Sequence, residues 1–155
     1  MKQVPTFVDG DKTFTQSLAI IRYIESNLVE KGSLKPSSEA LEIAEVINSG
    51  IQPVQNFAVL KKVTNLGGDK MAWGKETIEN GFKQIEKLLS KYSGKYCVGD
   101  EISIADVCLV PQVYNARRFG VDMKEFPLID EIEKRLVLIE EFVEAHPDKM
   151  VDAVL

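Results

Sequence analysis

The sequence predicts a mainly α-helical chain, in which a short β-β-α unit precedes an all-helical domain. Three observations carry this. Residues before Gln16 read as two short extended runs around Asp9-Gly10, and from Leu18 onward the apolar residues recur at helical spacing. Only Gly32 to Ser38, with glycine, proline and serines, interrupts that spacing as a linker would. The predicted divisions are therefore 1–30 for the first unit, 31–37 for the linker and 38–155 for the helical domain.

Within the first unit, Gln3 to Val8 is apolar and extended. Asp9-Gly10 can supply the positive φ angles of a two-residue hairpin turn, and Lys12 to Thr15 alternates polar with apolar residues. A helix opens at Gln16-Ser17 with Leu18, Ile21, Ile24 and Leu28 on one stripe. Two strands alone rarely make a stable sheet, so another element should cover the edge.

Beyond the linker, Ser37 or Ser38 can cap a long helix whose buried stripe is Leu41, Ala44, Ile47 and Ile51. Gly50 weakens its ladder, and Pro53 removes a backbone donor and clashes with the preceding turn, so the helix should bend there. A second long helix follows Gly67-Gly68 and buries Ile78, Phe82, Ile85, Leu88, Leu89 and Tyr92, antiparallel to the first. Ser103 stands three residues before Asp106, the spacing of a capping box, with Ile102 and Val107 as its hydrophobic staple. Val107, Cys108, Leu109, Val110 and Val113 make the helix that follows apolar on nearly every side, so it should be the central one. Asp106 is accordingly read as structural and not as a catalytic acid. Pro127 opens another helix with Ile129, Ile132 and Leu136 inward, and a last short one runs from about Ile139 to Ala145. His146, the single histidine, then sits at a helix C-terminus near the surface.

Composition narrows the function. With 45% hydrophobic residues the chain can build a real core, and a formal charge of −5 with interspersed lysines and arginines argues against nucleic acid as the main partner. The longest apolar run, Val107 to Val113, contains Pro111 and is far short of the roughly 20 residues that span a bilayer. Cys97 and Cys108 form no Cys-x-x-Cys or Cys/His cluster, so neither a disulfide framework nor a metal site is expected. With no signal peptide visible, a soluble, cytoplasmic setting is expected.

Four strings carry a family resemblance: Lys2-Gln3-Val4-Pro5-Thr6, Gln16-Ser17-Leu18-Ala19-Ile20-Ile21, Gly50-Ile51-Gln52-Pro53, and Tyr96-Cys97-Val98-Gly99-Asp100 with Ile104-Ala105-Asp106. Together they resemble the zeta class of glutathione transferases, the maleylacetoacetate isomerases, over essentially the whole chain. The resemblance implies a partial thioredoxin-like β-β-α unit followed by the all-helical C-terminal domain of a glutathione transferase. It also implies glutathione as cofactor, a small acidic maleyl substrate and a homodimer that pairs the helix at Gln16 with the long kinked helix of a second copy.

Family members carry an upstream strand-helix-strand unit whose serine- and cysteine-bearing loop activates the glutathione thiol. No such string occurs here, so no catalytic residue is assigned in this chain.

Binding residues do carry over by resemblance. Gln16 and Ser17 would hold the γ-glutamyl carboxylate, at a helix start whose unpaired amides and dipole favour an anion. Val4, before a Pro5 that is cis in this family, would pair its backbone with the cysteinyl part of the tripeptide. On the facing wall, Gln52 and Asn56 are spaced to share a helix face and would contact glutathione, and Arg118 would hold the acidic substrate. Two functions compete. One is glutathione-dependent cis–trans isomerisation of maleylacetoacetate to fumarylacetoacetate in tyrosine and phenylalanine catabolism. The other is a non-catalytic relative that keeps the helical domain for dimerisation or ligand binding.

Overall fold

The chain is described by a computed structural model that covers residues 4–29, 34, 37–151 and 153. It divides into two compact units, residues 1–35 and 36–155. The predicted start of the first strand at Gln3 and most of the predicted linker 31–37 lie outside the described residues.

In the first unit, β1 (Phe7–Asp9) pairs antiparallel with β2 (Lys12–Phe14), and α1 (Ser17–Asn27) follows. The register places Asp9 opposite Lys12, which leaves Gly10-Asp11 as the two-residue loop. The turn therefore falls one residue later than the sequence reading had it. Of the two loop residues Gly10 alone has positive φ, at 58°, so a single glycine at the first loop position supplies the left-handed geometry, as in a type II′ hairpin. The predicted stripe on α1 is also corrected: Leu18, Ile21 and Ile24 are half-buried, Leu28 is exposed, and Ile20 is the buried residue. Tyr23 joins hairpin to helix. Its ring lies 4.5 Å from that of Phe14 and 6.0 Å from that of Phe7, and its hydroxyl donates to Asp9 Oδ2 at 2.7 Å.

The second unit is helical throughout. Helix α2 (Ser38–Glu45) is capped by Ser37, whose Oγ accepts from the Ala40 amide at 2.9 Å. It continues into a π-helical segment, Val46–Ile51, ended by a Gln52 amide bonded to the Ile47 carbonyl. The buried stripe here is Ala40, Ile43, Ala44, Ile47 and Ile51, and the predicted Leu41 is exposed instead. At Pro53 the helix breaks where a bend was expected. Residues 52–56 form a turn, and Asn56 caps a separate helix, α3 (Phe57–Asn65). With its missing donor, Pro53 cannot extend the ladder, and a new N-cap three residues on, at Asn56, costs less than threading the proline through.

Asp69 caps the long helix α4 (Lys70–Tyr92), accepting from the Met71 and Ala72 amides. Ile78, Phe82, Ile85 and Leu89 face the core as predicted, while Leu88 and Tyr92 are half-buried. Gly81 also lies on the buried face: a Cβ there would come within 2.4 Å of Ile51 Cδ1, so the π segment packs closely on α4 because position 81 is bare. Helix α5 (Ile104–Arg118) packs on α2, on the π segment and on α6 (Pro127–Leu136), which makes it central, as its all-round apolarity implied. Ile129, Ile132 and Leu136 of α6 are buried, and Pro127 stands in its first turn. The Ile129 amide donates to Glu86 Oε1 of α4 at 2.8 Å, in a half-buried place whose desolvation raises the Glu86 carboxyl above its usual range. The Phe126 ring meets Phe82 edge-on at 5.4 Å. A short helix, α7 (Glu140–Glu144), and a 3-10 turn, Pro147–Lys149, close the described chain.

The capping box at α5 is present. Asp106 is wholly buried, and its carboxylate accepts from the Ser103 amide (2.9 Å), the Ser103 hydroxyl (2.8 Å) and the Cys97 amide (2.9 Å). A second buried polar contact joins distant segments. The Gln55 side-chain amide donates to Gln112 Oε1 at 2.8 Å, and Gln112 Nε2 donates back to Gln55 Oε1 at 3.3 Å.

Three predictions follow from this core. Asp106→Ala removes three hydrogen bonds from a fully buried site and should cost about 2 kcal/mol or more, read as a lower urea midpoint; an unchanged midpoint would refute the clamp. Gln55→Leu strands the buried Gln112 amide and should cost ~1–3 kcal/mol, whereas the Gln55→Leu/Gln112→Leu double variant should cost less than the two single changes summed. Burial, with Glu45 adding its charge, pushes the Cys108 thiol up from 9.0 to about 11. Only the thiolate alkylates, so at pH 8 Cys108 should react with iodoacetamide about 100-fold more slowly in the native chain than in urea. Its native rate should keep rising with pH toward about 11, not level off near 9.0.

Candidate functional site

The residues expected to bind ligand fall in both units. In the first, Val4 is 92% exposed, and the Val4-Pro5 bond is cis. Gln16 is the exposed N-cap residue of α1 and Ser17 its half-buried first residue. The Gln16 side chain makes no cap hydrogen bond, and no acidic residue stands in the first turn. The positive end of the helix dipole thus meets no carboxylate from its own first turn, which suits an anionic ligand group.

In the second unit, Gln52 and Asn56 bracket the turn after the π segment, both exposed. They do not share a helix face, because the break at Pro53 puts Gln52 at the end of one helix and Asn56 at the start of the next. Asn56 Oδ1 accepts from the Ala58 amide at 2.9 Å, which leaves its NH2 as the group able to meet a ligand. This corner is tied down on two sides. Gln55 is held by Gln112 of α5, and the Val54 carbonyl accepts from Trp73 Nε1 of α4 at 3.1 Å. Sequence reasoning missed both ties, since the partners are 57 and 19 residues away with no local signal.

Arg117 and Arg118 end α5 and fare differently. Arg117 is clamped bidentately by Glu133 at 2.6 and 2.8 Å, with Asp130 at 3.6 Å. Those hydrogen bonds, reinforced by both charges, raise its pKa further. Arg118 makes no ion pair among the described residues and lies over the Tyr114 ring, 5.9 Å from its centroid. Tyr114 is four residues before Arg118 on the same helix, a spacing from which the contact could have been read. His146 stands beyond α7, where its Nδ1 accepts from the Asp148 amide at 3.3 Å.

A groove of about 600 Å³ between the α2–π segment and α4 is lined by Glu42, Glu45, Ser49, Asn80 and Gln84 among others. None of the expected ligand-binding residues lines it, and its two carboxylates disfavour an anionic ligand. Among the described residues, no cluster of three or more His, Cys, Asp or Glu is placed to hold a metal, and no helix is long and apolar enough to cross a membrane.

The glutathione S-transferase C-terminal domain profile matches residues 56–148, and the N-terminal domain profile matches residues 1–26. Maleylacetoacetate isomerase of Dictyostelium discoideum is 44% identical over 99% of this chain and 73% of its own length, and that of Mus musculus is 46% identical over 98% and 71%. Among solved structures, maleylacetoacetate isomerase from Anaeromyxobacter dehalogenans, with dicarboxyethyl glutathione and citrate bound in its active site, superposes with a TM-score of 0.91 at 34% identity, covering 99% of this chain and 74% of that one. Identity of this extent over nearly the whole chain, with both domain profiles matched, shows that the chain belongs to the maleylacetoacetate isomerase family, the zeta class of glutathione transferases.

Proposed function

We propose that the chain serves glutathione-dependent cis–trans isomerisation of a maleyl dicarboxylate, the conversion of maleylacetoacetate to fumarylacetoacetate in tyrosine and phenylalanine catabolism. The observation that carries this reading is the division of labour at the end of α5: Arg117 is neutralised by Glu133 and Asp130, and Arg118 beside it keeps its charge for an incoming carboxylate. Glutathione, when bound, supplies a thiol whose reversible addition to the conjugated double bond frees that bond to rotate.

The chain's own residues bind and orient. Gln16, Ser17 and the first-turn amides of α1 fit the γ-glutamyl carboxylate, and the exposed Val4 backbone fits the peptide portion of the tripeptide. Gln52 and the NH2 of Asn56 add polar contacts from a corner whose geometry is fixed by Gln112 and Trp73. Arg118 fixes the dicarboxylate, so that the double bond and not a carboxylate faces the thiol. No residue described here is assigned to thiol activation. A cytoplasmic homodimer, formed through α1 and the α2–π segment, belongs to the same proposal, and sedimentation showing only a monomer would remove that part of it.

The test is isomerisation of maleylacetoacetate by the purified chain with glutathione, alongside Ser17→Ala and Arg118→Ala. Each variant should lose about tenfold or more in kcat/KM, the loss raising mainly the KM for glutathione in the first and for the maleyl substrate in the second. Glutathione binding by a folded chain without turnover would favour the non-catalytic ligand-binding alternative. Absence of both would sink the proposal.

A further inference from the structure

Arg118 does not stand alone. The Tyr114 ring beneath its guanidinium is also held by residues around the 3-10 turn Pro147–Lys149. The Tyr114 hydroxyl donates to Asp148 Oδ1 at 3.2 Å, and the His146 ring meets the Tyr114 ring edge-on, centroids 5.7 Å apart and planes at 85°. His146 and Asp148 are tied to each other in turn, the imidazole Nδ1 accepting from the Asp148 amide at 3.3 Å. Three residues thus form a frame behind one cation. Tyr114 is half-buried and Arg118 exposed, so the ring is part of the body of the domain while the charge stays open to solvent.

We propose that Tyr114 is the positioning residue for Arg118, and that its ring sets the preference of the site for a doubly acidic ligand. This rests on the reading of Arg118 as the substrate-carboxylate contact. A free arginine side chain loses much rotamer freedom when it grips a carboxylate, and a ring platform that restricts it beforehand reduces that loss. The Tyr114 hydroxyl proton is committed to Asp148, so the ring acts through Arg118 and not by donating to the ligand itself. With Glu133 and Asp130 held by Arg117, no carboxylate among the described residues comes within ion-pair distance of Arg118 to compete.

Calorimetric titration of the chain with glutathione and with S-(1,2-dicarboxyethyl)glutathione isolates the effect, because the two ligands differ only in the added acidic group. The native chain should bind the adduct more tightly. Tyr114→Leu should cut that preference by about fivefold while the glutathione Kd stays the same, and Tyr114→Phe, which keeps the ring, should retain most of it. A general loosening of the domain would weaken both ligands together and leave the preference intact. That outcome, or a preference lost in Arg118→Ala but kept in Tyr114→Leu, overturns the role of Tyr114 and leaves Arg118 as the contact. A preference that survives Arg118→Ala, or is missing from the native chain, overturns both.

Discussion

The buried carboxylate of Asp106 is the constraint on which the helical domain depends. It accepts three hydrogen bonds, two from Ser103 at the head of α5 and one from the Cys97 amide in the preceding loop. Those bonds offset the desolvation of a fully buried carboxyl group that has no ion-pair partner among the described residues. They also fix where α5 begins and how the loop carrying Tyr96 and Cys97 lies over it. Because α5 runs through the middle of the domain, its start sets the position of everything later on it, including Gln112, Tyr114 and Arg118.

From that axis the ligand-facing features are held by polar contacts between helices. Gln112 reaches back to Gln55 and so fixes the corner that bears Gln52 and Asn56, while Trp73 holds the neighbouring Val54 carbonyl. Farther along, Glu133 of α6 takes Arg117. A buried amide pair and a half-buried ion pair add modest net stability, since each replaces bonds to water, yet each penalises any shift that would leave a partner unsatisfied. Their effect is to specify one geometry for the corner and one for the end of α5.

Much of this was legible in the sequence where the signal was local. The capping box lay in the spacing of Ser103 and Asp106, α6 in Pro127 and the inward residues after it, and the hairpin in the glycine at position 10. Errors arose where tertiary packing overrode a local pattern. Leu41 is apolar but points outward, because the buried stripe Ala40, Ile43, Ala44, Ile47 and Ile51 recurs at i, i+3, i+4, i+7 and i+11 and leaves position 41 on a neighbouring face. Pro53 was expected to bend a helix and instead ends one, so Gln52 and Asn56 are brought near by a turn and not by a shared face. The ligand-binding residues were legible chiefly through family strings. A glutamine, a serine and an arginine at helix ends have several uses, and only the structure separates Arg117, which is neutralised, from Arg118, which is not.

The overall charge makes that separation necessary. At −5 the chain as a whole repels a dicarboxylate, but at physiological salt a field decays over about 8 Å, so distant carboxylates matter little and nearby ones decide. Several cations of this domain are already answered by a neighbour: exposed Lys134 by Asp130, and half-buried Arg135 by Glu131 and Lys75 by Glu79. An acidic protein that recognises an acidic ligand must therefore keep a cation out of such pairs. Placing Arg118 over an uncharged ring does so: the aromatic face attracts the guanidinium without neutralising it, and the charge remains available at short range, where screening is weakest.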